Sequence, residues 1–185
     1  GLGFEWTHRA YSSEVESFGN EHIRSDVDTA LYGRLTYLGM QAFWSDDPSE
    51  ATRWADMVPY RDEPDSDQSA GSHFAWVNEV PKIVFSTTLT EATWRNSRLI
   101  RDNVAAEVEA LQAGPGGTMA IYASPKLVHS FIEMALMDEF RLIVHPVTIG
   151  SGIPLFHDKS KLDLDLLESR VFASGAVYLR YQVNY

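Results

Sequence analysis

The stretch "MDEFRLIVHPVTIGSGIPLF", Met137–Phe156, decides the fold of this chain of 185 residues. Two acidic residues stand near its start, an apolar run follows, and the run stops at the glycine-rich residues 149–152. A short apolar run bounded by turn residues is typical of a buried strand. The segment before it, "SPKLVHSFIEMALM", is helical in pattern, with Ser124 as the expected N-cap and Pro125 at the first helical position. The sequence therefore predicts a helix that leads into a buried strand with a glycine-rich end.

Helices and short buried strands alternate through the rest of the chain. Helical patterns recur at residues 12–25, 34–44, 45–58 and 103–114. Buried strands are predicted at residues 27–33, 81–89, 97–102 and 118–124. Residues 164–185 are typical of two strands joined by Ala-Ser-Gly. This pattern predicts one α/β domain over residues 1–185, with a central, mostly parallel mixed sheet, helices on both faces and a C-terminal antiparallel hairpin.

Two local features of the helices can be predicted from the same patterns. Leu35, Leu38 and Ala42 are spaced to share the buried face of the helix at residues 34–44. Asn103 is expected to cap the helix that follows it, because a short polar side chain there can accept a backbone N–H.

Pro59–Gly71 differs in composition from its surroundings. It is rich in Pro, Asp, Ser and Gly and has almost no apolar residue. Such a segment cannot bury enough apolar surface to order itself, so we expect a flexible surface insertion. One or two helical turns are expected after it.

Composition excludes several classes of protein. The chain has no cysteine, which rules out disulfides and thiolate chemistry. A formal net charge of −11 argues against a nucleic-acid partner, which requires a basic face. It does not exclude a small phosphate-bearing ligand, because a few arginines and backbone N–H groups can hold one. No run long enough to span a membrane and no signal peptide is visible, so we expect a cytoplasmic protein without a membrane partner.

Common catalytic motifs are missing from the sequence. The six histidines show no HxH or HExxH spacing, and no metal site is predicted. There is no GxSxG, no GxGxxG and no GxxxxGK[ST], so a serine-hydrolase elbow, the usual dinucleotide fingerprint and the P-loop are absent.

Three junctions carry candidate ligand groups where strands end. Ligands of parallel sheets bind beyond the carboxyl ends of the strands, where loops enter helices. The junctions are Gly33-Arg34 with Thr36, Ser86-Thr87, and Ser124 with Lys126. Helix N-termini, hydroxyls and a guanidinium suit a phosphate. Each junction also has an ordinary interpretation: a plain turn with a surface arginine, a Ser/Thr turn that satisfies its own backbone, and an N-cap followed by a solvated lysine.

Taken together and in order, these junctions resemble those of the dihydrofolate-reductase-like fold. The likeness is to the reductase domain at the C-terminal end of the bacterial riboflavin-biosynthesis deaminase/reductase and to its stand-alone relatives. It rests on "LYGRLTYLGMQAFW", on "VPKIVFSTTL", and on the block from Gly116 to Phe156 that ends in "PVTIGSGIPLF". It covers most of Leu2 to Phe156 and implies a three-layer dihydrofolate-reductase-like fold, in which residues 138–152 form a central strand.

The resemblance implies NADPH as the hydride donor and assigns residues to it. Gly33, Arg34 and Thr36 would hold the phosphates, and Ser86 and Thr87 would lie near the adenosine phosphate. The turn against the pyrophosphate and the lining of the nicotinamide end would be formed by further matched residues: Ala123, Ser124, Pro125 and Lys126 for the turn, and Ile149 and Gly150 for the lining.

The substrate side is less well defined by the resemblance. Trp6, His8 and Phe43 are the candidate substrate-binding residues. Glu14 is a weak candidate for the proton donor, and a solvated helix position is the alternative interpretation of this residue.

The sequence departs from the family pattern in three places. Ala123-Ser124 stands where a glycine-rich turn is usual, and the acidic insertion at Pro59–Gly71 is extra. The family also has a central strand and a mobile loop before "GLGFEW", so we expect the natural chain to begin about 20 residues earlier.

The resulting functional prediction is an NADPH-dependent reductase. Its substrate would be a small heterocyclic or carbonyl compound, pterin-like or ribosylamino-pyrimidine-like. Nothing in the chain resembles the zinc signature of the deaminase. A homodimer is expected, with aromatics of "AVYLRYQVNY" exposed at the interface. The alternative is a catalytically lapsed dimeric nucleotide-binding or interaction module on the same fold, and folate reduction ranks behind both.

Overall fold

The computed structural model describes Ala10 and residues 12–45, 68–156 and 161–185, with the backbone alone at residues 68–72. Its helices are α1 (Ser13–Phe18), α2 (Arg34–Trp44), α3 (Gln68–Glu79), α4 (Val104–Gln112) and α5 (Pro125–Glu133). Its strands are β1 (Val27–Gly33), β2 (Lys82–Phe85), β3 (Ser97–Ile100), β4 (Thr118–Ile121), β5 (Glu139–Val144), β6 (Asp163–Val171) and β7 (Val177–Asn184). They form two compact units: a parallel unit, residues 26–127, and an antiparallel unit, residues 1–25 with 128–185.

The parallel unit contains a four-stranded sheet in the order β3-β2-β1-β4. All three pairings are parallel, with Leu31 of β1 opposite both Ile83 of β2 and Ile121 of β4. Ala30, Leu31 and Tyr32 are buried in succession, as expected for a strand covered on both faces. The α/β class and the parallel sheet predicted from the sequence are therefore confirmed.

Helix α2 has the predicted bounds but a different buried face. Tyr37, Leu38, Gln41 and Ala42 are its buried residues, whereas Leu35 is 57% exposed. The prediction that Leu35 shares the buried face is wrong. The buried face of α2 is centred on Tyr37 instead, whose hydroxyl accepts the backbone N–H of Trp94 at 2.8 Å.

Helix α3 begins earlier than the composition predicted. Residues 68–71, assigned to the flexible insertion, are the first turn of a helix of 12 residues. Its C-terminal part is anchored by Val77 and Asn78, both fully buried. The composition of the polar segment does not show that the helix is held by these two buried side chains at its other end. Residues 59–67 and the short helix predicted at residues 45–58 lie outside the described residues, apart from Ser45, where α2 ends.

Asn103 occupies the N-cap position of α4 but does not cap it. Its backbone is left-handed, with φ 51°, and its side chain makes no hydrogen bond to the helix. A capping side chain requires an extended backbone at that position. The amide donates to the Asp102 carboxylate at 3.5 Å instead.

The antiparallel unit contains a separate three-stranded sheet in the order β5-β7-β6. The predicted C-terminal hairpin is confirmed as the β6–β7 pairing. The strand at Glu139–Val144 was expected in the centre of one mixed sheet; among the described strands it is an outer strand of this second sheet. Its partner is β7, with which it pairs over six residues.

Strand β7 is consequently the middle strand of this sheet. The prediction that its aromatics are exposed is wrong for Tyr178, which is buried against Phe18 of α1 at 4.7 Å between ring centroids. Tyr185 of the same stretch is 63% exposed, as predicted, and the outer strand β6 also exposes Leu166, Leu167 and Val171.

Helix α1 begins at the predicted cap, where the Ser12 hydroxyl accepts the N–H of Val15 at 3.4 Å. It continues as a π-helical turn at Gly19–Ile23, so the predicted helix at residues 12–25 is confirmed in its main part. Among the described residues, no helix is both long and apolar enough to cross a bilayer.

Candidate functional site

The strand order of the parallel unit predicts a ligand-binding crevice beside β1. From β1 the chain moves to β2 and then β3 on one side, and it returns to the other side of β1 for β4. Helix α2 follows β1 directly, and α5 follows β4 after a short turn. The loops leaving β1 and β4 therefore diverge at their carboxyl ends, which is where ligands bind in open parallel sheets.

Two of the predicted junctions meet at this point. The N–H of Gly33 donates to the hydroxyl of Ser124 at 3.0 Å, and Ser124 is only 5% exposed. The hydroxyl, expected to cap α5, is thus directed to the end of β1. The Ser124 backbone is left-handed, φ 47°, which is not the extended conformation of a capping residue.

Gly33 does not need to be glycine for its own backbone. It is extended, with φ −78° and ψ 158°, a conformation open to any residue. A Cβ added to it would lie 3.7 Å from the Ser124 hydroxyl and 3.8 Å from the Leu127 Cβ, which is ordinary van der Waals contact. Glycine at this position leaves the first turn of α2 without a side-chain cap.

The turn between β4 and α5 is strained. Ala123 and Ser124 are consecutive non-glycine residues with positive φ, 49° and 47°. Left-handed backbone costs an L-residue about 1–2 kcal/mol. The Ala123 side chain is exposed, and the strain of its backbone is what distinguishes this turn from the glycine-rich turn usual in the resembled family.

Cationic and hydroxyl groups lie in the first turns of the helices that follow β1 and β4. Arg34, in the first turn of α2, is exposed, and in the described ranges it has no carboxylate partner. Thr36 is half-buried in the same turn, and Lys126 is exposed in the first turn of α5. The positive ends of two helix dipoles lie at the same edge. This arrangement favours a bound anion.

The Ser86-Thr87 junction forms a turn that satisfies its own backbone. The Ser86 hydroxyl accepts the N–H groups of Thr88 at 3.2 Å and Leu89 at 3.0 Å. This is the Ser/Thr turn that stood as the alternative interpretation of this segment. Thr87 remains exposed at the end of β2.

Arg101, which the sequence reasoning missed, holds this turn from the end of β3. Its guanidinium donates to the carbonyl oxygens of Leu89 at 2.7 Å and Thr87 at 3.0 Å. The signal was present in "SRLIRD", where an arginine directly follows a strand at the ligand-binding edge of the sheet.

Ile149 and Gly150 belong to the antiparallel unit, in the loop after β5. Ile149 is 50% exposed, and Gly150 has φ 72°, a conformation that favours glycine. Nε2 of His129 donates to the carbonyl oxygens of Pro154 and Leu155 at 2.9 and 3.1 Å and so holds the far end of the loop. The loop exposes several apolar side chains, namely Val147, Ile149, Ile153 and Phe156, and Val144 at the end of β5 is exposed as well.

The candidate substrate-side residues are only partly described. Trp6 and His8 lie outside the described residues. Phe43 is half-buried on α2, with its ring 4.8 Å from that of Trp44. Phe43 is thus available for contact but has no defined ligand-facing role.

Glu14 is engaged within the antiparallel unit. One carboxylate oxygen pairs with Arg170 at 3.2 Å, and the other accepts the N–H of Ala173 at 3.1 Å. Both oxygens hold α1 against the β6–β7 hairpin. Glu14 is exposed, as expected of a solvated helix position, but its bonds give it a structural role, and nothing in this placement supports a proton donor.

Tyr32 is a second residue that the sequence reasoning missed. It directly precedes Gly33, is fully buried, and its hydroxyl has no hydrogen-bond partner in the structure. Burial, reinforced by the neighbouring Tyr122, raises the pKa of Tyr32 far above its usual value of 10.0. No group of three or more acidic or histidine side chains in the described ranges is placed to hold a metal ion.

Comparisons with known proteins match this chain to one protein family. The sequence profile of the family described as RibD C-terminal domain matches residues 6–178. The uncharacterized protein YyaP of Bacillus subtilis (strain 168) is 33% identical over 161 residues, which cover 86% of this chain and 76% of that protein.

Two solved structures have the same fold. A putative riboflavin biosynthesis protein from Shewanella sp. PV-4 matches with a TM-score of 0.72 and 19% identity, covering 98% of this chain and 88% of that one. RibD of Acinetobacter baumannii matches with a TM-score of 0.55 and 13% identity, covering 94% of this chain and 51% of that one. These likenesses confirm the predicted fold.

Proposed function

Because the chain belongs to the RibD C-terminal domain family, we propose that it is a reductase of the riboflavin-biosynthesis type that uses NADPH. The proposed substrate is a small heterocyclic or carbonyl compound, pterin-like or ribosylamino-pyrimidine-like. The observation that carries the proposal is the joining of Gly33 and Ser124 by a 3.0 Å hydrogen bond beside the first turn of α2. This bond links the segments that leave β1 and β4, at the edge of the sheet where the strand order predicts a nucleotide phosphate.

The residues at this crevice fit a dinucleotide. The first turn of α2 offers N–H donors that no side chain caps, and Arg34 adds an exposed guanidinium. Because a Cβ at Gly33 would meet only ordinary contacts, the protein's own packing does not require glycine there. Close approach of a phosphate to the backbone accounts for the missing side chain. NADPH, when bound, supplies the hydride.

The roles assigned to this chain's residues are binding and orientation. Arg34 and the first turn of α2 hold the pyrophosphate, and Ser124 fixes the distance between the two loops that flank it. Ile149 and Gly150 remain proposed for the nicotinamide end, because an exposed apolar side chain beside a glycine suits a flat ring. Glu14 is not retained as the proton donor, since both of its carboxylate oxygens are engaged.

The first experiment is a titration of the protein with NADPH and with NADH, followed by tryptophan fluorescence from Trp44 of α2. We expect NADPH to bind in the micromolar range and more tightly than NADH. Arg34→Gln should weaken NADPH binding about 10-fold, because a charge-assisted hydrogen bond to a phosphate is lost. Arg98→Gln is the matched control, since Arg98 is an exposed arginine already paired with Glu107. Absence of binding by both nucleotides would contradict the proposal.

A second candidate function is a catalytically lapsed module of the same fold. The strained pair Ala123-Ser124 at the crevice favours it, because the family pattern has glycine there. In that case a nucleotide binds but is not oxidised in the presence of any heterocyclic or carbonyl substrate. A substrate screen that follows NADPH absorbance separates the two.

We also propose that the chain forms a homodimer. The exposed Leu166, Leu167 and Val171 on the outer strand β6 support this, because they give the sheet an uncovered apolar edge. The molar mass by light scattering decides between one copy and two.

A further inference from the structure

We infer that the chain takes an uncharged, fused-ring heteroaromatic substrate, which stacks on an aromatic band formed by Trp44, His73, Trp76 and Tyr122. The inference rests on the proposed function and narrows its substrate class. Neither the sequence motifs nor the family resemblance assigned a substrate-binding role to these four residues. Phe43, the candidate substrate residue that the structure does describe, adjoins the band, with its ring 4.8 Å from that of Trp44.

The aromatic band is continuous across three elements of the parallel unit. Trp44 ends α2, His73 and Trp76 lie on α3, and Tyr122 directly follows β4. The ring of His73 meets Trp44 edge-to-face at 4.5 Å and stacks on Trp76 at 5.9 Å. Trp76 in turn meets Tyr122 edge-to-face at 5.6 Å. All four residues are half-buried, so a part of each is open to a ligand. Four successive rings offer more aromatic surface than a single six-membered ring can cover, which favours a fused ring.

Tyr122 connects the band to the proposed nucleotide site. It lies between the end of β4 and the Ala123-Ser124 turn, and its N–H donates to the carbonyl oxygen of Leu31 on β1 at 3.3 Å. A ring held on the band therefore lies at the edge of the sheet where the cofactor is proposed to bind, as a reductase requires of its substrate.

Two polar atoms at the band have no hydrogen-bond partner within the described part of the chain. They are the hydroxyl of Tyr32 and Nδ1 of His73, and both atoms are buried. Tyr32 is a fully buried residue, and its ring is 6.2 Å from that of Tyr122. A buried polar atom without a partner is destabilising, so these two atoms favour a ligand that brings its own hydrogen-bonding groups. A heteroaromatic ring supplies such groups, whereas a hydrocarbon ring does not.

The charges of the two helices favour an uncharged ring. Helix α3 contains no lysine or arginine, and α2 contains a single one, Arg34, in its first turn. At 1.5 Å per residue, Arg34 is roughly 15 Å along α2 from Trp44. A phosphate on a ring stacked at the Trp44 end of the band would therefore find no lysine or arginine there on either helix.

The test uses lumichrome, riboflavin and FMN as probes, because each has a fused heteroaromatic ring and FMN alone carries a phosphate. Each titration follows the fluorescence of the probe, with and without saturating NADP⁺, which keeps the FMN phosphate out of the proposed nucleotide site. Lumichrome and riboflavin should bind in the micromolar range, and FMN at least about 10-fold more weakly. Trp76→Ala should weaken lumichrome binding about 10-fold, because a stacking partner is lost. Phe74→Ala removes an exposed aromatic ring of the same helix outside the band and should leave this affinity unchanged.

Tyr32→Phe distinguishes a binding role from a structural one. Removal of a buried, unpaired hydroxyl should raise the midpoint of thermal unfolding of the free protein. The same change should weaken lumichrome binding about 5-fold, because the bound ring loses a hydrogen bond. A purely structural residue would not move stability and affinity in opposite directions.

The outcomes separate the inference from the proposed function. Tighter binding of FMN than of riboflavin with NADP⁺ present overturns the inference, and so does an unchanged lumichrome affinity in both Trp76→Ala and Tyr32→Phe. A protein that binds NADPH but none of the three probes also overturns the inference and leaves the reductase intact. Trp76-dependent binding of lumichrome without binding of NADPH or NADH would support the aromatic site and count against the reductase. A wild type that binds neither the probes nor a nucleotide overturns both.

Discussion

Ala123 and Ser124 show at the scale of single residues what the sequence can and cannot predict. Their place at the end of β4 and the anion-binding character of the turn follow from local sequence. The hydrogen bond from Gly33 to Ser124 does not, because it joins residues 91 positions apart. Local sequence also favoured Ser124 as the N-cap of α5. Its left-handed backbone and its bond to Gly33 rule out that role, and neither can be seen in the local sequence.

Replacing Ala123 by glycine should stabilise the protein. The substitution removes the cost of a Cβ at φ 49° and adds conformational entropy to the unfolded chain, which leaves a net gain of about 0.5–1 kcal/mol. Denaturant unfolding monitored by fluorescence measures it. Ala106→Gly, in the exposed face of α4, is the control with the opposite sign and should cost about 1 kcal/mol. If Ala123→Gly is equally destabilising, Ala123 is not strained in solution.

At the scale of elements, the sequence predicted most helices and strands but not what joins them. Lys82 is an example. It begins β2, a strand that the sequence predicted from its apolar run, but the local pattern does not predict that this charged side chain is buried. Its ammonium donates to the carbonyl oxygens of Asn78, Val80 and Arg95 at 2.9–3.2 Å. Such partners come from the ends of other elements, and no local pattern specifies them.

Asn78 is the residue on which this polar network depends. Its amide donates to the carbonyl oxygens of Trp44 and Phe74, at 2.8 and 2.9 Å, and its side-chain oxygen accepts the indole N–H of Trp94 at 2.8 Å. The side chain thereby joins α2, α3 and the segment before β3.

Asn78→Ala should destabilise the parallel unit by about 2–4 kcal/mol, because a buried indole N–H and two carbonyls lose their partner. The free energy of unfolding from denaturant titration tests this. Gln112→Ala, at the exposed end of α4, is the control and should change it by less than about 0.5 kcal/mol. A loss below about 1 kcal/mol at Asn78 would mean that water replaces the amide.

For the whole molecule, the sequence predicted the class of the fold and the order of its elements, but not how the strands divide into sheets. Strand β5 illustrates the reason. Its apolar run is compatible with a central parallel strand and with an outer antiparallel one. The choice depends on its six-residue pairing with β7, about forty residues further along the chain. That pairing also brings Arg141 opposite Arg180, a like-charged pair to which Glu139 is bonded on both sides.

Glu139 makes the stability of the protein depend on acidic pH. Burial acts to raise the pKa of its carboxyl group, but hydrogen bonds from Arg180 and Arg141 outweigh it, so the pKa lies below the ordinary value of 4.5. A lowered carboxyl pKa contributes stability that is fully present above the unfolded value and is lost as pH falls through the folded one. We therefore expect Glu139→Gln to cost about 1–2 kcal/mol at neutral pH, with the difference from wild type shrinking once the pH drops below about 4.5.

Denaturant unfolding of both proteins across the range from neutral to acidic pH measures this difference directly. Glu109→Gln on α4 removes the same charge from an exposed residue that has no ion pair within the described part of the chain, and it should differ little from the wild type at any pH. Because the chain carries a net charge of −11, acidification also relieves general repulsion among carboxylates, and this effect is common to all three proteins. It therefore cancels in the comparison. A constant gap between wild type and Glu139→Gln at every pH would show that the loss is one of packing rather than of charge.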